Sequence, residues 1–288
     1  MWCYIKSCES GVARNGSPFL KMDIITEKGE SGKATCFTSK FTPGSAKGRI
    51  VMSSINLNAE YPNITEGELG LSFAPEDISS DVRKLFKPYL PPHIPSLEEF
   101  KGAVTALLPD KSPEFDAELG DLYEKYSLRF GGSSVHHNYP GGLLLHVVQV
   151  LNIVRALHES GLFPHEFNPY VCGVAALYHD YGKIWEYDEE GNYQESIALE
   201  GHVFTSARWF SEYGTHFPLT EDEKRNVIHC ILSHHGKKEG GSPVEPATIE
   251  AFILHHADML SGHGEVYARS ANMERQFILG GGFTVRLN

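Results

Sequence analysis

At 288 residues, 41% hydrophobic and 22% charged, the chain has the composition of a globular protein with material for one large core or two ordinary ones. No apolar run reaches the ~18 residues of a membrane span, and Met1 to Gly11 lacks the apolar stretch of a signal peptide. The net charge of −12 excludes a generic basic nucleic-acid binder.

The charge is unevenly spread. Residues 1–75 hold eight Lys and Arg against seven Asp and Glu, and the remainder holds 17 against 30, which points to two units with different tasks. The five cysteines, Cys3, Cys8, Cys36, Cys172 and Cys230, form no CxxC pair and read as reduced thiols of a cytoplasmic protein.

Residues 1–75 lack helical periodicity. Short β-prone runs, Phe19 to Ile25, Ala34 to Phe37 and Arg49 to Met52, are separated by turn signals such as Asn15-Gly16-Ser17-Pro18, Glu27-Lys28-Gly29 and Pro43-Gly44. Four to six strands at this spacing predict a small β-barrel. Phe19, Phe37, Phe41, Lys21, Lys40, Lys47 and Arg49 form either a platform for single-stranded nucleic acid or the barrel's own core with a solvated basic face. Residues 76–130 turn helical and read as a connector, with a Pro-rich linker from Pro88 to Pro95. Ser96-Leu97-Glu98-Glu99 has capping-box spacing and opens a helix to about Leu108. A second helix, about Pro113 to Phe130, carries Phe115, Leu119, Leu122, Tyr123 and Tyr126 at core spacing, and Gly131-Gly132-Ser133-Ser134 breaks the chain.

Beyond residue 135 histidines accumulate on apolar faces. Leu143, His146, Val150, Ile153 and Leu157 step by three and four residues, so His146 occupies an apolar stripe. An apolar run from about Pro169 ends in His179-Asp180, two neighbours that point about 100° apart, as two ligands reaching different points of one site must. Gly201-His202 opens a helix to about Tyr213. Thr220-Glu221-Asp222-Glu223 caps another, which bears Val227 and Ile231 and ends at His234 and His235. Ala251, Leu254 and Asp258 place a carboxylate on a buried line. A lone His on such a face is usually a satisfied core residue, but a buried unpaired carboxylate is costly, and several helices repeat the anomaly. Helices that send His and carboxylate inward build two-metal sites.

The ordered pattern His…His-Asp…His…His-His…Asp resembles the HD-domain superfamily of metal-dependent phosphohydrolases. The segments His136-His137-Asn138-Tyr139-Pro140-Gly141-Gly142-Leu143, Leu177-Tyr178-His179-Asp180-Tyr181-Gly182-Lys183, Ile231-Leu232-Ser233-His234-His235-Gly236 and Pro246 to Ala251 resemble the YhaM-type exoribonucleases, which join an N-terminal OB-fold to an HD domain. The resemblance implies a mainly α fold: an OB-like β domain over 1–75, a helical connector over 76–130, an HD catalytic domain over 131–275 and a flexible tail over 276–288. It implies that His146, His179, Asp180 and Asp258 hold one metal, and that Asp180, His202, His234 and His235 hold a second, with Asp180 bridging. Mixed imidazole and carboxylate ligands favour manganese, iron, zinc or nickel over magnesium or calcium, and two divalent metals are expected, manganese first, with iron, zinc, nickel or magnesium as alternatives. Two such ions activate a water and polarise phosphoryl oxygens. Lys183 is either a phosphate clamp beside Asp180 or a solvated helix-end lysine. His136, His137, Gly141 and Gly142 either approach substrate at the mouth or form a structural turn. His255 and His256 are expected to support Asp258.

The expected activity is 3′→5′ hydrolysis of single-stranded RNA, or DNA, to nucleoside monophosphates, in a cytoplasmic and homo-oligomeric protein without membrane contact. The alternatives are hydrolysis of free or cyclic nucleotides, a di-iron oxygenase, and a non-catalytic nucleic-acid-binding module.

Overall fold

The computed structural model describes residues 1–74, 77–86, 90, 92–110, 112–132, 136–163, 167–188, 191–214, 217–270, 275–278 and 282–285. Part of the Pro88 to Pro95 linker, Ser133, Ser134, His165, His216, and Gly280 and Gly281 of the tail lie outside these residues. The chain divides into two compact units, Met1–Pro92 and His93–Asn288. The division falls inside the stretch expected to be one connector.

The first unit is built on a four-stranded antiparallel sheet of order β3-β2-β1-β4, comprising β1 (Trp2–Val12), β2 (Pro18–Thr26), β3 (Ser31–Phe37) and β4 (Ile50–Met52). The quoted β-prone runs supply β2, β3 and β4. The longest strand, β1, was not singled out, because its second half, Ser7-Cys8-Glu9-Ser10-Gly11, carries no apolar alternation. Along β2, Leu20, Met22 and Ile24 are buried while Lys21 and Asp23 are exposed, the period-two pattern of a sheet covered on one face. A bulge between Ile5 and Ser7 resets the β1–β2 register and kinks the strand. Three short helices follow, α1 (Pro43–Ala46), α2 (Glu66–Gly70) and α3 (Ser80–Phe86). Phe86 of α3 is buried with Tyr4, Ile25 and Ile50. The sheet's outer strands each take one more bridge, Thr35 to Asn63 and Ile50 to Phe73.

The second unit is helical: α4 (Leu97–Thr105), α5 (Pro113–Ser127), α6 (Gly142–Ser160), α7 (Pro169–Tyr178), α8 (Lys183–Glu186), α9 (Gly201–Tyr213), α10 (Glu221–Ser233) and α11 (Ile249–Ser270). Ser96, Ser112 and Thr220 cap α4, α5 and α10 through their side chains, as the sequence predicts for the two capping boxes. Every residue of α7 from Val171 to Tyr178 is buried, so this helix is the axis of the core rather than an amphipathic surface helix. The tail, expected to be flexible, instead forms a hairpin of β5 (Arg275–Ile278) and β6 (Gly282–Val285).

Three helices that deliver ligands begin at one polar clasp. Asn168 caps α7 by accepting from Tyr170 N and Val171 N. Its amide donates to Glu223 of α10 at 2.9 Å, and its backbone N donates to Glu250 of α11 at 2.9 Å. Asn226 of α10 donates to the other Glu250 oxygen at 2.9 Å. The clasp fixes the axial register of α7, α10 and α11, so residues about two to three turns on arrive at a common level.

Candidate metal centre

That level is where the inward histidines meet. His179 and Asp180 stand where α7 breaks into tight turns, with His179 N still bonded to Ala175 O at 2.8 Å and Lys183 N to Asp180 O at 3.0 Å. His146 comes from the second turn of α6, His202 from the start of α9, His234 and His235 from the end of α10, and Asp258 from the middle of α11. A Cβ on Gly182 would lie 2.5 Å from the His202 carbonyl oxygen, so only glycine lets the end of α7 approach the start of α9.

The two oxygens of Asp180 serve different neighbours. Oδ2 lies 3.4 Å from His146 Nε2 and 3.5 Å from His179 Nε2, while Oδ1 lies 3.6 Å from both His202 Nε2 and His234 Nε2. Asp258 Oδ1 is 3.1 Å from His146 Nε2. His235 joins the second group, its ring centroid 4.2 Å from that of His234 and 5.2 Å from that of His202. His146, His179 and Asp180 form one cluster of metal-type atoms, and His202, His234 and His235 form another. The expected ligands are thus brought together.

The far nitrogen of four of the rings has a polar neighbour. Nδ1 of His179 donates to Ala176 O at 2.8 Å and Nδ1 of His234 to Ile231 O at 2.7 Å. Ser261 Oγ gives its one proton to Gln149 Oε1, so the 2.9 Å contact of His146 Nδ1 with that hydroxyl is donation from the ring. His202 Nδ1 sits 2.8 Å from the Glu186 carboxylate. With the proton on Nδ1, the Nε2 atoms of His146, His179 and His234 are bare lone pairs directed inward. His146 Nε2 and His179 Nε2 then face each other at 3.1 Å with no proton between them. Asp180 Oδ1, His202 Nε2 and His234 Nε2 are buried without a hydrogen-bond partner. Converging lone pairs and an orphaned buried carboxylate oxygen repel one another unless cations sit among them, and the donor set fits two divalent transition metals.

The electrostatics agree. Burial pushes His179 down to about 4 and His235 down to about 3, so both are neutral at pH 7, as ligands must be. Burial opposes ionisation of Asp180, but the Lys183 ammonium at 2.7 Å and the surrounding imidazoles hold its carboxyl well below the usual range.

The residues expected to face substrate separate into two groups. Lys183 is buried and donates to Asp180 Oδ2 and to Gly131 O, both at 2.7 Å, so it keeps the Asp180 carboxylate ionised and anchors the loop before α6. His137 is fully buried, with φ of 51°, a left-handed conformation costing roughly 1–2 kcal/mol in a non-glycine residue. A Cβ on Gly142 would collide with the His137 carbonyl, and Gly141 has φ of 78° with Ser127 O beside it, so both glycines serve the turn. His136 remains half-buried, its ring centroid 5.9 Å from that of His146.

Several supporting residues were missed. Gln149, Glu186 and Ser261 each lie three residues beyond an expected site residue, His146, Lys183 and Asp258, and share its helical face. That spacing was the available signal. His255 does support the centre, donating from Nδ1 to His234 O at 2.7 Å, whereas His256 is exposed against Phe252.

Residues 143–262 match the family model of the HD domain, and the inward imidazoles around Asp180 at the end of a buried helix are the residue types of a metal-dependent phosphohydrolase of that kind. Beyond that segment, the chain is similar along most of its length to the YhaM-type exoribonucleases. It is 29% identical to the 3′-5′ exoribonuclease YhaM of Bacillus velezensis over 89% of this chain and 82% of that protein. Identity to the YhaM of Bacillus subtilis is 27% over 89% of this chain and 82% of that protein, and to that of a Geobacillus species 27% over 90% and 81%. No solved structure matches. No helix among the described residues is long and apolar enough to cross a membrane.

Proposed function

We infer that the chain is a 3′→5′ exonuclease that hydrolyses single-stranded RNA in preference to DNA and releases nucleoside 5′-monophosphates. One observation carries the reading: the oxygens of Asp180 face two separate groups of imidazoles, the arrangement of a bridging ligand between two cations. The names borne by relatives that align along most of the chain direct that chemistry to RNA.

In this reading His146, His179, Asp180 and Asp258 hold one ion and Asp180, His202, His234 and His235 the other, with manganese the first choice. When bound, such a pair supplies an activated water and Lewis-acid polarisation of the phosphate. The protein's own groups prepare that site. Lys183 keeps Asp180 charged, the Nδ1 partners aim the rings, and the buried walls shut out bulk water.

The first unit supports the strand-binding part of the reading as an OB-like module. Phe19 and Phe37 pair across β2 and β3 with centroids 5.5 Å apart, Phe37 is 58% exposed, and Lys21 Nζ stands 5.9 Å from the Phe19 ring. Stacking on such a pair is tolerant of base identity. The other platform candidates are engaged elsewhere: Phe41 packs on the core, Lys40 pairs with Glu66 at 2.8 Å, and Arg49 donates to Ser72. The cysteines are free thiols, as a cytoplasmic setting would keep them.

The deciding assay incubates 3′- and 5′-labelled single-stranded RNA with Mn²⁺ and wild-type protein or Asp180→Ala. The expected result is a ladder shortening from the 3′ end for the wild type and at least about 100-fold slower turnover for the variant. Turnover of mononucleotides or cyclic nucleotides alone would replace this reading with the small-nucleotide one.

A further inference from the structure

A continuous chain of hydrogen bonds runs from a ligand inside the centre to a side chain at its edge. His146 Nδ1–H donates to Ser261 Oγ at 2.9 Å, and Ser261 Oγ–H donates to Gln149 Oε1 at 2.7 Å. The same Gln149 oxygen lies 3.1 Å from His137 Nε2. An amide oxygen only accepts, so His137 carries its proton on Nε2 and presents a bare Nδ1. His136 Nδ1 is 3.1 Å from that nitrogen and must donate to it. Each link fixes the next. The last free position, His136 Nε2, is left as an unprotonated acceptor.

The position of that nitrogen is also constrained. A Cβ on Gly262 would lie 3.1 Å from His136 Nε2, so the ring rests on α11 one turn beyond Asp258. The left-handed backbone of His137, enclosed by Gly131 and Gly142, turns consecutive side chains to different partners: His137 inward to Gln149, His136 toward the centre. Backbone strain kept at such a place is expected to serve a site.

We propose that His136 Nε2 accepts a hydrogen bond from a sugar hydroxyl of the strand's terminal nucleotide, and that Gln149 is the positioning residue that makes it an acceptor. The inference rests on the exonuclease reading above. Phosphate oxygens and the ribose ring oxygen are acceptors and cannot pair with this nitrogen. Among base N–H groups only the guanine 2-amino lies on the sugar-side edge, so a base cannot supply this donor in every strand. Beside a scissile phosphate, the hydroxyls are the donors within reach. A terminus lacking the matching hydroxyl leaves this half-buried acceptor without its partner, which is the basis for rejecting it.

The test compares RNA ending in an ordinary ribose, a 2′-deoxyribose or a 3′-deoxyribose, with Mn²⁺, for wild type, His136→Phe, Gln149→Leu and Gln149→Glu. Equilibrium binding of adenosine 5′-monophosphate and its 2′-deoxy and 3′-deoxy forms gives a second readout for variants that turn over slowly. In the wild type, losing one of the two hydroxyls is expected to cost about tenfold or more in kcat/KM and in monophosphate affinity. His136→Phe and Gln149→Leu shrink that preference to within about threefold, while Gln149→Glu, which keeps the accepting oxygen, retains it. A wild type that degrades all three strands equally, or a His136→Phe variant that keeps the preference, overturns the proposal and leaves the exonuclease reading standing. If no strand is degraded, the exonuclease reading fails. Equal binding of the three monophosphates would then overturn the assignment of His136 as well.

Discussion

At the scale of single residues, the centre depends on the groups that hold the far side of each ring. Ser261 bonds His146 and Glu186 faces His202, so under the proposed two-ion reading each supports a ligand of a different ion. Removing such a partner typically weakens metal binding 10–100-fold. Glu186→Ala is therefore expected to weaken one of two binding steps by about that factor, and Ser261→Ala the other, read from stepwise Mn²⁺ titration and metal content per chain. Equal weakening of both steps by either variant would contradict the bridged arrangement. In the first unit, a carboxylate sets an acid limit. Glu68 accepts from Ser54 N and Thr65 N, and despite opposing burial these bonds lower its carboxyl to about 2. A depressed carboxyl contributes stability that is complete above its unfolded value of 4.5 and is lost as pH falls toward 2. Glu68→Gln should flatten the acid limb of the first unit's urea midpoint between those values. An unchanged limb would assign the acid sensitivity elsewhere.

At the scale of elements, the metal site is a matter of helix register. Asn168 caps α7 and touches both α10 and α11, so Asn168→Ala removes a cap and leaves Glu223 short of a donor, while the backbone bond to Glu250 stays. The expected cost is about 1–3 kcal/mol in urea unfolding, and the looser register should also lower Mn²⁺ affinity. The starts and ends of helices were legible because caps and apolar periodicity are local signals: Ser96, Thr220 and the Pro169 run all mark observed boundaries. The inward ligands were legible because a histidine on an apolar stripe violates that pattern. The clasp was not legible, since Asn168, Glu223 and Glu250 lie far apart in sequence and each reads as an ordinary polar loop or helix-start residue. Strand β1 was missed for a related reason. Its pairing with β2 and β4 supplies an order that its own residues do not announce. Gln149 and Ser261 were hidden differently, as neutral side chains whose only distinction is the helical face they share with a ligand.

At the scale of the whole molecule, the acidic second unit holds Asp180 and Asp258 beside a ring of lone pairs, a burden that bound cations would lift. Metal removal should therefore act as a destabilising change in that unit. Each ion present at about 100 times its dissociation constant stabilises the folded state by about 2.7 kcal/mol. For a unit of this size that corresponds to roughly 5–10 °C in melting temperature per ion. Trp185 and Trp209 belong to the second unit and Trp2 to the first, so tryptophan emission weights the metal-bearing part. The expected outcome is a fluorescence melt that drops by that amount in chelator and returns when Mn²⁺ is added back. Asp180→Ala, lacking the carboxylate that faces both groups of imidazoles, should melt at nearly the same temperature with and without Mn²⁺. Far-ultraviolet dichroism followed in parallel reports the helices, and it should shift with the fluorescence if the ions hold the ends of α7, α10 and α11 together. Coincident wild-type melts in chelator and in Mn²⁺ would mean that the converging nitrogens are tolerated without cations, and the metal reading of the cluster would fail with them.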